Sequence, residues 1–304
     1  MPKVSVVIPT CNRAHFLHAA IESVLKQTFQ DFEVIVVDDA STDETADVVR
    51  GFSDARIRYL RHETNKGQGA TRNDGIKQAA GDYVALLDDD DEWLAEKLGR
   101  QVALLENSSP NVGLIYSGFC QIDASTKRVV GHVIPEKRGQ AIEDLRLKNW
   151  IGTCSTVLVR RVCFEKVGLF DEKLASAADY DMWIRVAKNY EIDYVPELLV
   201  FYTVHGNRIS TNHESLIRGL EGLLKKHAPY FALNSKNYGR RYSSLGTNYC
   251  FNGNTKKGRK AFLQAIKLYP FELRHYYNLC LSLLGANKFR RLKAIRRGHL
   301  GQNQ

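Results

Sequence analysis

Four consecutive carboxylates, Asp88 to Asp91, directly follow the apolar run Tyr83–Leu87, which has the composition of a buried strand. Adjacent like charges repel one another, so a folded chain keeps them together at low cost only where a cation neutralises them. A hard divalent ion does so with oxygen ligands, and it commonly leaves coordination positions for substrate phosphates. The cluster therefore predicts a metal–phosphate site at the end of a strand.

The individual acids of this cluster have different expected roles. Alternate residues of an extended chain point the same way, so Asp88 and Asp90 are expected to approach one ion while Asp89 faces elsewhere. Carboxylates also stabilise the N-terminus of a helix, so we expect Asp91 and Glu92 to cap a helix that begins shortly after them. A solvated acidic turn is the alternative for the whole cluster.

Strand-like and helical segments alternate before the cluster. The strand-like segments are KVSVVIPT, FEVIVVDD, IRYLRH and YVALL. Alternation at this interval predicts an α/β fold with a mainly parallel, doubly wound, Rossmann-like sheet. Ligands bind beyond the carboxyl ends of the strands in such sheets. That rule brings three loops together, at residues 9–13, 38–43 and 88–91.

The rest of the chain divides into a mixed part and a helical part. The helix predicted for STDETADVVRGF has its own start signal, because Ser41 followed by Glu44 fits a capping box. Further on, VGLIYSGFCQID and RVVGHVIP are expected to pair as antiparallel strands, and DYDMWIRVAKN to form a helix. From about residue 215 the pattern is helical. We therefore expect an α/β domain over residues 1–214 and a helical region over 215–304.

One helix–turn–helix repeat is predicted within the helical region. Small and aromatic residues fall there at the spacing of a tetratricopeptide unit: Tyr242, Leu245, Gly246, Tyr249, Gly258, Phe262, Ala265 and Pro270. An ordinary helical hairpin shares this pattern and is the alternative.

Basic charge is concentrated in the same region, where residues 215–304 hold 18 Lys and Arg but only two acids. Such a surplus indicates an anionic partner or a well-solvated surface. The tail NKFRRLKAIRRGHL has Phe289, Leu292 and Ile295 spaced for one helical face, which predicts a peripheral membrane contact. A flexible basic terminus is the alternative. Nucleic acid is not expected, because no recognised reading motif accompanies the charge.

The N-terminus, Met1-Pro2-Lys3-Val4, enters a strand pattern without a charged-then-apolar signal peptide. No apolar run approaches the roughly 18 residues that span a bilayer. We therefore expect a cytoplasmic protein, peripheral on the inner face of the cell membrane if the basic tail binds lipid.

Five separated blocks carry a family resemblance: VSVVIPTCNR, QTFQDFEVIVVDDASTDET, NKGQGATRNDGI, GDYVALLDDDDEW and DYDMWIRVAK. In this order they resemble the family 2 glycosyltransferases of bacterial surface-polysaccharide type, which have the GT-A fold and use nucleotide-diphosphate sugars. The resemblance covers about residues 3–210 and is specific because five blocks agree in order and spacing. It implies a catalytic domain over residues 1–214.

The resemblance also implies a nucleotide-sugar site. The loop after the first strand is expected to line the nucleotide with Pro9, Thr10, Asn12 and Arg13. Asp39 matches the acid that accepts a hydrogen bond from a uracil-like base, so a UDP-sugar is the expected donor. Arg72 matches the basic residue near the base and diphosphate.

The cluster matches the DXD block of the family. Asp90 would be the main ligand of Mn²⁺ or Mg²⁺, with Asp88 and Asp89 near the ribose and metal. His205 lies where relatives often place a histidine near the metal or diphosphate, and a purely structural histidine is the alternative.

Asp179 matches the catalytic base, although Ala178 replaces the Glu that many relatives have before it. Asp181 and Arg185, four apart on a helix, are expected to form a surface pair. Trp150 is expected either to stack on an acceptor sugar or to pack in the core.

The implied reaction is metal-dependent transfer of the sugar, with inversion, to a hydroxyl of a saccharide or lipid-linked acceptor. One base without an obvious nucleophile fits a single displacement. A non-catalytic sugar-nucleotide-binding protein that docks partners through its helical tail is the alternative. A nucleotidyltransferase would also use paired carboxylates, but it would not require the other four blocks.

Overall fold

The computed structural model describes residues 1–174, 176–206 and 212–300, with side chains to residue 294. The chain divides into two compact units. The first comprises Met1–Glu172 and Ala178–Gly206, and the second comprises Lys173–Ala177 and Asn207–Gln304. The boundary that the sequence predicts, after residue 214, stays a prediction.

The first unit is built on one nine-stranded sheet. Its strands are β1 (Val4–Thr10), β2 (Phe32–Asp38), β3 (Ile57–Arg61), β4 (Tyr83–Leu86), β5 (Glu92–Trp93), β6 (Val112–Asp123), β7 (Val129–Val133), β8 (Val157–Arg160) and β9 (Glu191–Val204). Their order is β3-β2-β1-β4-β8-β6-β9-β5, and β7 pairs with β6 outside this path. Strands β1 to β4 are parallel, whereas β8 runs antiparallel to both β4 and β6.

Besides one short 3-10 helix (Cys154–Thr156), seven α-helices belong to the described part of this unit: α1 (Ala14–Leu25), α2 (Thr45–Arg50), α3 (Gln68–Gln78), α4 (Lys97–Glu106), α5 (Ile142–Leu147), α6 (Arg161–Val167) and α7 (Ala178–Ala187). The β-branched runs of β1 and β2 are buried along their whole length. Burial on both faces is characteristic of a parallel sheet covered by helices. The carboxyl ends of β1, β2 and β4 therefore meet at one edge, as the sequence predicts.

The capping box predicted for α2 is wrong. The helix begins at Thr45, and its first turn is capped by Asp43, whose Oδ1 accepts from the Thr45 backbone N–H at 3.2 Å. Ser41 instead accepts from the Asn12 backbone N–H at 2.8 Å. Its hydroxyl therefore joins the loops after β1 and β2 rather than starting a helix.

The second unit is helical, with α8 (His213–Lys226), α9 (Ala228–Ala232), α10 (Ser235–Phe251), α11 (Thr255–Leu268), α12 (Leu273–Leu283) and α13 (Ala286–Leu300). Helices α10 and α11 approach closely at two glycines of the predicted repeat. A Cβ added to Gly246 would lie 2.6 Å from the Phe262 ring and 2.9 Å from the Gly258 carbonyl oxygen. Only residues without side chains allow this approach, which explains the small positions in the repeat pattern.

The apolar stripe predicted for the basic tail is used differently. Phe289 on α13 is fully buried and packs against Phe251 and Phe262, so it cannot enter a membrane. The side chain of Ile295 lies outside the described residues. Leu292, the third residue of the stripe, is 37% exposed, and a membrane contact through the tail stays a prediction. No helix in the described ranges has the length and apolar composition needed to cross a bilayer.

Candidate functional site

Asp39 lies directly after β2 and is held mainly by the backbone of the loop that leads into α3. Its Oδ1 accepts from the Lys66 N–H and its Oδ2 from the Gly67 N–H, both at 2.8 Å. The His62 ring nitrogen Nδ1 lies 2.8 Å from Oδ1. Burial raises the pKa of Asp39, but these hydrogen bonds outweigh burial and lower it below the ordinary value.

A glycine makes this arrangement possible. Gly67 has φ +88° and ψ 158°, a conformation that residues with a side chain rarely adopt. It allows two successive N–H groups at the start of α3 to point at one carboxylate, which the partial positive charge of the helix N-terminus also favours. The Gly-rich segment NKGQGATRN thus positions the predicted base-binding acid.

The predicted loop residues after β1 lie at the same sheet edge. Pro9 and Thr10 end β1 opposite Val37 and Asp38 of β2. Asn12 has φ +54°, and its Oδ1 accepts from the Thr42 N–H at 2.7 Å. Asn12 therefore joins two loops of the edge.

Arg13 reaches from this loop to the acidic cluster. Its Nη1 donates to Asp89 Oδ1 at 3.0 Å and to Asp90 Oδ2 at 2.9 Å. Asp89 thus shares a cation with Asp90 instead of facing elsewhere, contrary to the expectation, whereas the approach of Asp88 and Asp90 to one ion stays a prediction. Strand β4 ends at Leu86, so the acids lie in a turn where extended-chain alternation does not apply.

Asp88 has its own cation. It forms a short charge-assisted hydrogen bond with Arg72 Nη2, and the guanidinium also lies 5.7 Å from the Phe170 ring centroid. Arg72 is buried, which lowers its pKa, but the Asp88 carboxylate outweighs this and raises the pKa above the ordinary value. Asn73 holds Phe170 in place through two hydrogen bonds with the Phe170 backbone, at 2.8 and 2.9 Å.

Asp91 does not cap a helix, contrary to the prediction. Its Oδ2 accepts from the Ser155 hydroxyl at 2.5 Å and its Oδ1 from the Thr203 backbone N–H at 3.0 Å. The chain enters β5 directly after Asp91 and pairs with β9, so the following helix begins only at Lys97. Asp91 is buried, and burial raises its pKa well above the ordinary value. It therefore fastens the acidic turn to the sheet.

Asp90 and His205 form the pair best suited to a metal ion. The His205 Nε2 lies 2.8 Å from Asp90 Oδ2, and the ring stacks on Phe16 at 5.1 Å. In the described ranges, no three His, Cys, Asp or Glu side chains form a complete metal cage. Two protein ligands nevertheless suit a Mg²⁺- or Mn²⁺-type ion, which is commonly held by one or two side chains together with substrate phosphates. Burial raises the pKa of the adjacent Asp89 to about 7, so a bound cation would favour its ionised form.

Asp179, the predicted base, lies in the first turn of α7. Its Oδ2 accepts from Asn149 Nδ2 at 3.0 Å. Burial of the carboxyl group and, to a lesser extent, the charge of Asp88 raise its pKa to about 6, against the opposing effects of the Tyr180 backbone N–H and the Arg72 cation. These influences place Asp179 in the surroundings of the acidic cluster.

The neighbouring pair on α7 differs from the prediction. Asp181 and Arg185 do form an ion pair at 2.9 Å, but Asp181 is fully buried rather than on the surface. Arg185 also donates to the carbonyl oxygens of Val167 and Leu169. The pair therefore fastens α7 to the preceding loop.

Asn149, which contacts Asp179, and the next residue, Trp150, each have a buried polar atom with no hydrogen-bond partner within the described chain: Asn149 Oδ1 and Trp150 Nε1. Arg72 Nε is a third such atom near the acidic cluster. Buried polar groups are normally paired, so these atoms indicate where a polar ligand would bind.

Sequence reasoning did not identify His62, Asn149 or Ser155. His62 bridges Asp39 and Asp74, with its Nε2 lying 3.1 Å from Asp74 Oδ2. Ser155 donates to Asp91 and accepts from the Asp88 N–H at 3.1 Å. Each acts across a long sequence separation, so no local spacing could have indicated it.

Comparison with known proteins identifies the family. The model for "Glycosyl transferase family 2" matches residues 5–168. The Escherichia coli UDP-Glc:alpha-D-GlcNAc-diphosphoundecaprenol beta-1,3-glucosyltransferase WfgD is 34% identical over 193 residues, 63% of this chain and 72% of WfgD.

Solved structures share the fold. S. aureus TarS 1-349 in complex with UDP-GlcNAc aligns with a TM-score of 0.64 at 20% identity, over 97% of this chain and 92% of that TarS fragment. The Pyrobaculum calidifontis mannosyltransferase PcManGT, in complex with GDP-Man and Mn²⁺, aligns with a TM-score of 0.56 at 19% identity, over 94% and 86% of the chains. Together with the sheet and its helical C-terminal region, these matches show that the chain belongs to glycosyl transferase family 2 and is a glycosyltransferase with the GT-A fold.

Proposed function

We propose that this glycosyltransferase moves a sugar from a UDP-sugar to a hydroxyl of a lipid-linked saccharide, with inversion at the anomeric carbon. Residues 1–214 would form the catalytic domain, and residues 215–304 an accessory helical region. One observation carries the proposal: Asp179 is held by Asn149, has a pKa of about 6, and lies close enough to Arg72 and Asp88 for their charges to act on it. A base with a pKa near neutrality suits removal of a hydroxyl proton.

The proposed reaction is one displacement. The acceptor oxygen forms a bond to the anomeric carbon as the bond to the diphosphate oxygen breaks, and UDP leaves with that electron pair. Asp179 takes the acceptor proton. Arg72, whose cation is fixed by Asp88 and Phe170, stabilises negative charge that develops on the leaving diphosphate.

The nucleotide would be held by the loops that follow β1 and β2. Asp39 keeps its charge because its pKa is lowered, so it can accept a hydrogen bond from an N–H of the base. Pro9, Thr10, Asn12 and Arg13 belong to the neighbouring loop and would line the nucleotide. Asp88 and Asp89 would lie near the ribose.

A Mn²⁺ or Mg²⁺ ion fits the donor atoms of Asp90 and His205, with Asp88 as a further oxygen ligand. Such an ion supplies charge that neutralises the diphosphate. Arg13 binds Asp90 through the same oxygen as His205, so its guanidinium would have to share or release that oxygen.

The relatives support the substrate classes. WfgD is named for transfer from UDP-Glc to a diphosphoundecaprenol-linked sugar, and TarS binds UDP-GlcNAc. PcManGT contains Mn²⁺ together with a different nucleotide sugar, GDP-Man. A UDP-sugar, a divalent ion and a lipid-diphosphate acceptor of surface-polysaccharide assembly are therefore the combination that we propose.

The test is a transfer assay with Asp179→Asn. We expect UDP-sugars, Mn²⁺ and a GlcNAc-diphospholipid to give UDP release and a product of inverted configuration. The variant should lose about 10²–10⁴-fold in kcat while keeping its affinity for UDP. Asp82→Asn is the control, because that carboxylate is 67% exposed and pairs with Lys3. Equal kcat for Asp179→Asn and wild type would contradict the base assignment.

A further inference from the structure

The hairpin formed by β6 and β7 exposes apolar side chains that the proposed chemistry does not use. Val129 is 62% exposed, Val130 57% and Ile134 52%. Successive residues of a strand point to opposite faces, so Val129 and Val130 place an exposed apolar side chain on each face of β7, and Ile134 follows directly after the strand. Single exposed apolar residues are common on soluble proteins, but a cluster on one short segment marks an interaction surface.

Basic residues flank this apolar segment. Lys127 and Arg128 precede it and are exposed, and Lys137 and Arg138 follow it. Glu136 is the single acid between residues 124 and 138. Lys137 pairs with Asp144 and Arg138 pairs with Asp193, each at 3.5 Å, so the surplus comes from Lys127 and Arg128. The segment therefore combines apolar surface with a surplus of positive charge.

The turn that carries the first two basic residues is well ordered. Asp123 Oδ1 accepts from the backbone N–H groups of Ser125 and Thr126 at 3.1 and 2.8 Å and from both of their hydroxyls. Lys127 follows with φ +55°. The carboxylate thus fixes the turn, and the turn presents Lys127 and Arg128 at the tip of the hairpin.

The hairpin also adjoins the candidate site. Asp123, at the end of β6, pairs in register with Val204 at the end of β9. The Ala124 backbone N–H donates to the Val204 carbonyl oxygen at 3.0 Å. His205, which contacts Asp90, is the next residue. A backbone hydrogen bond therefore joins the hairpin turn to Val204, the residue directly before His205.

We propose that residues 124–134 form a docking surface for an anionic lipid bilayer. The bilayer interface accepts apolar side chains on both faces of a thin hairpin, and its phosphates neutralise the basic tip. A second copy of the same hairpin would instead bring like charges together. The surface lies beside the site, where it would receive a lipid-carried acceptor. In this respect the inference rests on the proposed function.

The test is flotation of the full chain with vesicles of phosphatidylcholine that contain about one third phosphatidylglycerol. We expect binding to these vesicles and little binding to pure phosphatidylcholine. Lys127→Ser with Arg128→Ser should weaken binding about 25-fold, since each basic residue near an anionic surface contributes about fivefold. Val130→Ser with Ile134→Ser should weaken it at least as much, because the apolar contact is lost.

A matched control is available on α6. Val162 is 48% exposed and Lys166 is exposed, so Val162→Ser with Lys166→Ser removes an apolar and a basic side chain elsewhere in the same unit. This control should float as the wild type does. UDP release from donor hydrolysis, measured without any acceptor, should be unchanged in every hairpin variant, which verifies folding independently of lipid binding.

Two results would overturn the proposal. Hairpin variants that float as well as the wild type would show that any lipid contact lies elsewhere. Hairpin variants that turn a dimer into a monomer, without any change in flotation, would identify a second copy as the occupant. Loss of flotation with normal donor turnover supports the proposal. Absence of donor turnover in the wild type would instead count against the proposed function, whichever way flotation came out.

Discussion

Two sets of carboxylates at the same sheet edge are held in different ways. Asp39 accepts from two backbone N–H groups, of Lys66 and Gly67, and contacts the His62 ring. Three acids of the acidic cluster are instead held by cationic side chains: Asp88 by Arg72, and Asp89 and Asp90 by Arg13. The first carboxylate is fixed by the path of the chain, whereas the others are balanced by cations on rotatable side chains.

This difference suits two kinds of ligand. A carboxylate with fixed backbone donors is oriented before a base arrives, so little reorganisation is needed on binding. A carboxylate that shares one guanidinium can exchange that partner for a metal ion or adjust as a diphosphate enters. The fixed set should therefore control donor affinity, and the adjustable set should control the rate of transfer.

Among the changes that test this difference between Asp39 and the acidic cluster, Asp90→Asn should have the largest effect on activity. The change removes the negative charge that His205 and Arg13 share, and with it the main proposed metal ligand. We expect kcat to fall about 10³-fold, within the range found when a charge-stabilising group is removed. Steady-state kinetics across a Mn²⁺ titration would measure it. Asp82→Asn is again the control, and an unchanged kcat with normal Mn²⁺ activation would contradict the assignment.

Asp39→Asn should act on affinity instead. The Asn side chain loses the charge that accepts the Gly67 N–H and the proposed base N–H. Hydrogen bonds to charged groups contribute about 1.5–3 kcal/mol, so we expect the donor KM to rise roughly 10–100-fold with kcat nearly unchanged. Donor saturation curves at fixed Mn²⁺ would show it. A loss in kcat alone would indicate that the two sets do not divide their roles.

The effect of pH should separate the two sets further. Asp179 has a pKa of about 6 because burial disfavours its charged form, and a base must be ionised to act. At saturating donor, kcat should therefore fall about tenfold for each pH unit below 6. Asp39 stays ionised across this range because its pKa is lowered. The pH dependence of kcat would show this fall. A midpoint near pH 7 instead of pH 6 would indicate that Asp89, rather than Asp179, controls the rate.

The sequence predicted the parts of this site that depend on strand order. Four buried strands with intervening helices place Asp39 and Asp88 at one edge, because the carboxyl ends of parallel strands meet there. The pairing of β6 with β7 and the helix that carries Asp179 were also predicted correctly. Periodicity and strand order were sufficient for these features.

The sequence did not predict which partner each carboxylate has. Asp91 was expected to cap a helix, but the short β5–β9 pair turns the chain back and buries it beside Ser155. Asp181 was expected on the surface, but α7 buries it against its own Arg185. Such partners come from contacts between distant segments, and local spacing carries no information about them.

The smallest expected effect is that of Gly67→Ala. At φ +88° and ψ 158°, a Cβ is strained although no atom lies within 4 Å of it, so the free energy of unfolding should fall by about 1–3 kcal/mol. Relief of the strain would rotate the Gly67 N–H away from Asp39 Oδ2. The loss of one such hydrogen bond should raise the donor KM severalfold. Thermal unfolding and donor saturation would measure the two effects.

Gly139→Ala separates strain from the loss of the hydrogen bond. Gly139 has φ +81° and equally open surroundings, but its N–H bonds to the Ile192 carbonyl oxygen rather than to a site residue. It should therefore lower stability by a similar amount and leave the donor KM unchanged. If both variants raised KM equally, general loosening of the unit would explain the effect. A KM change in Gly67→Ala alone would establish that the backbone path itself orients Asp39, which is the property that distinguishes it from the acidic cluster.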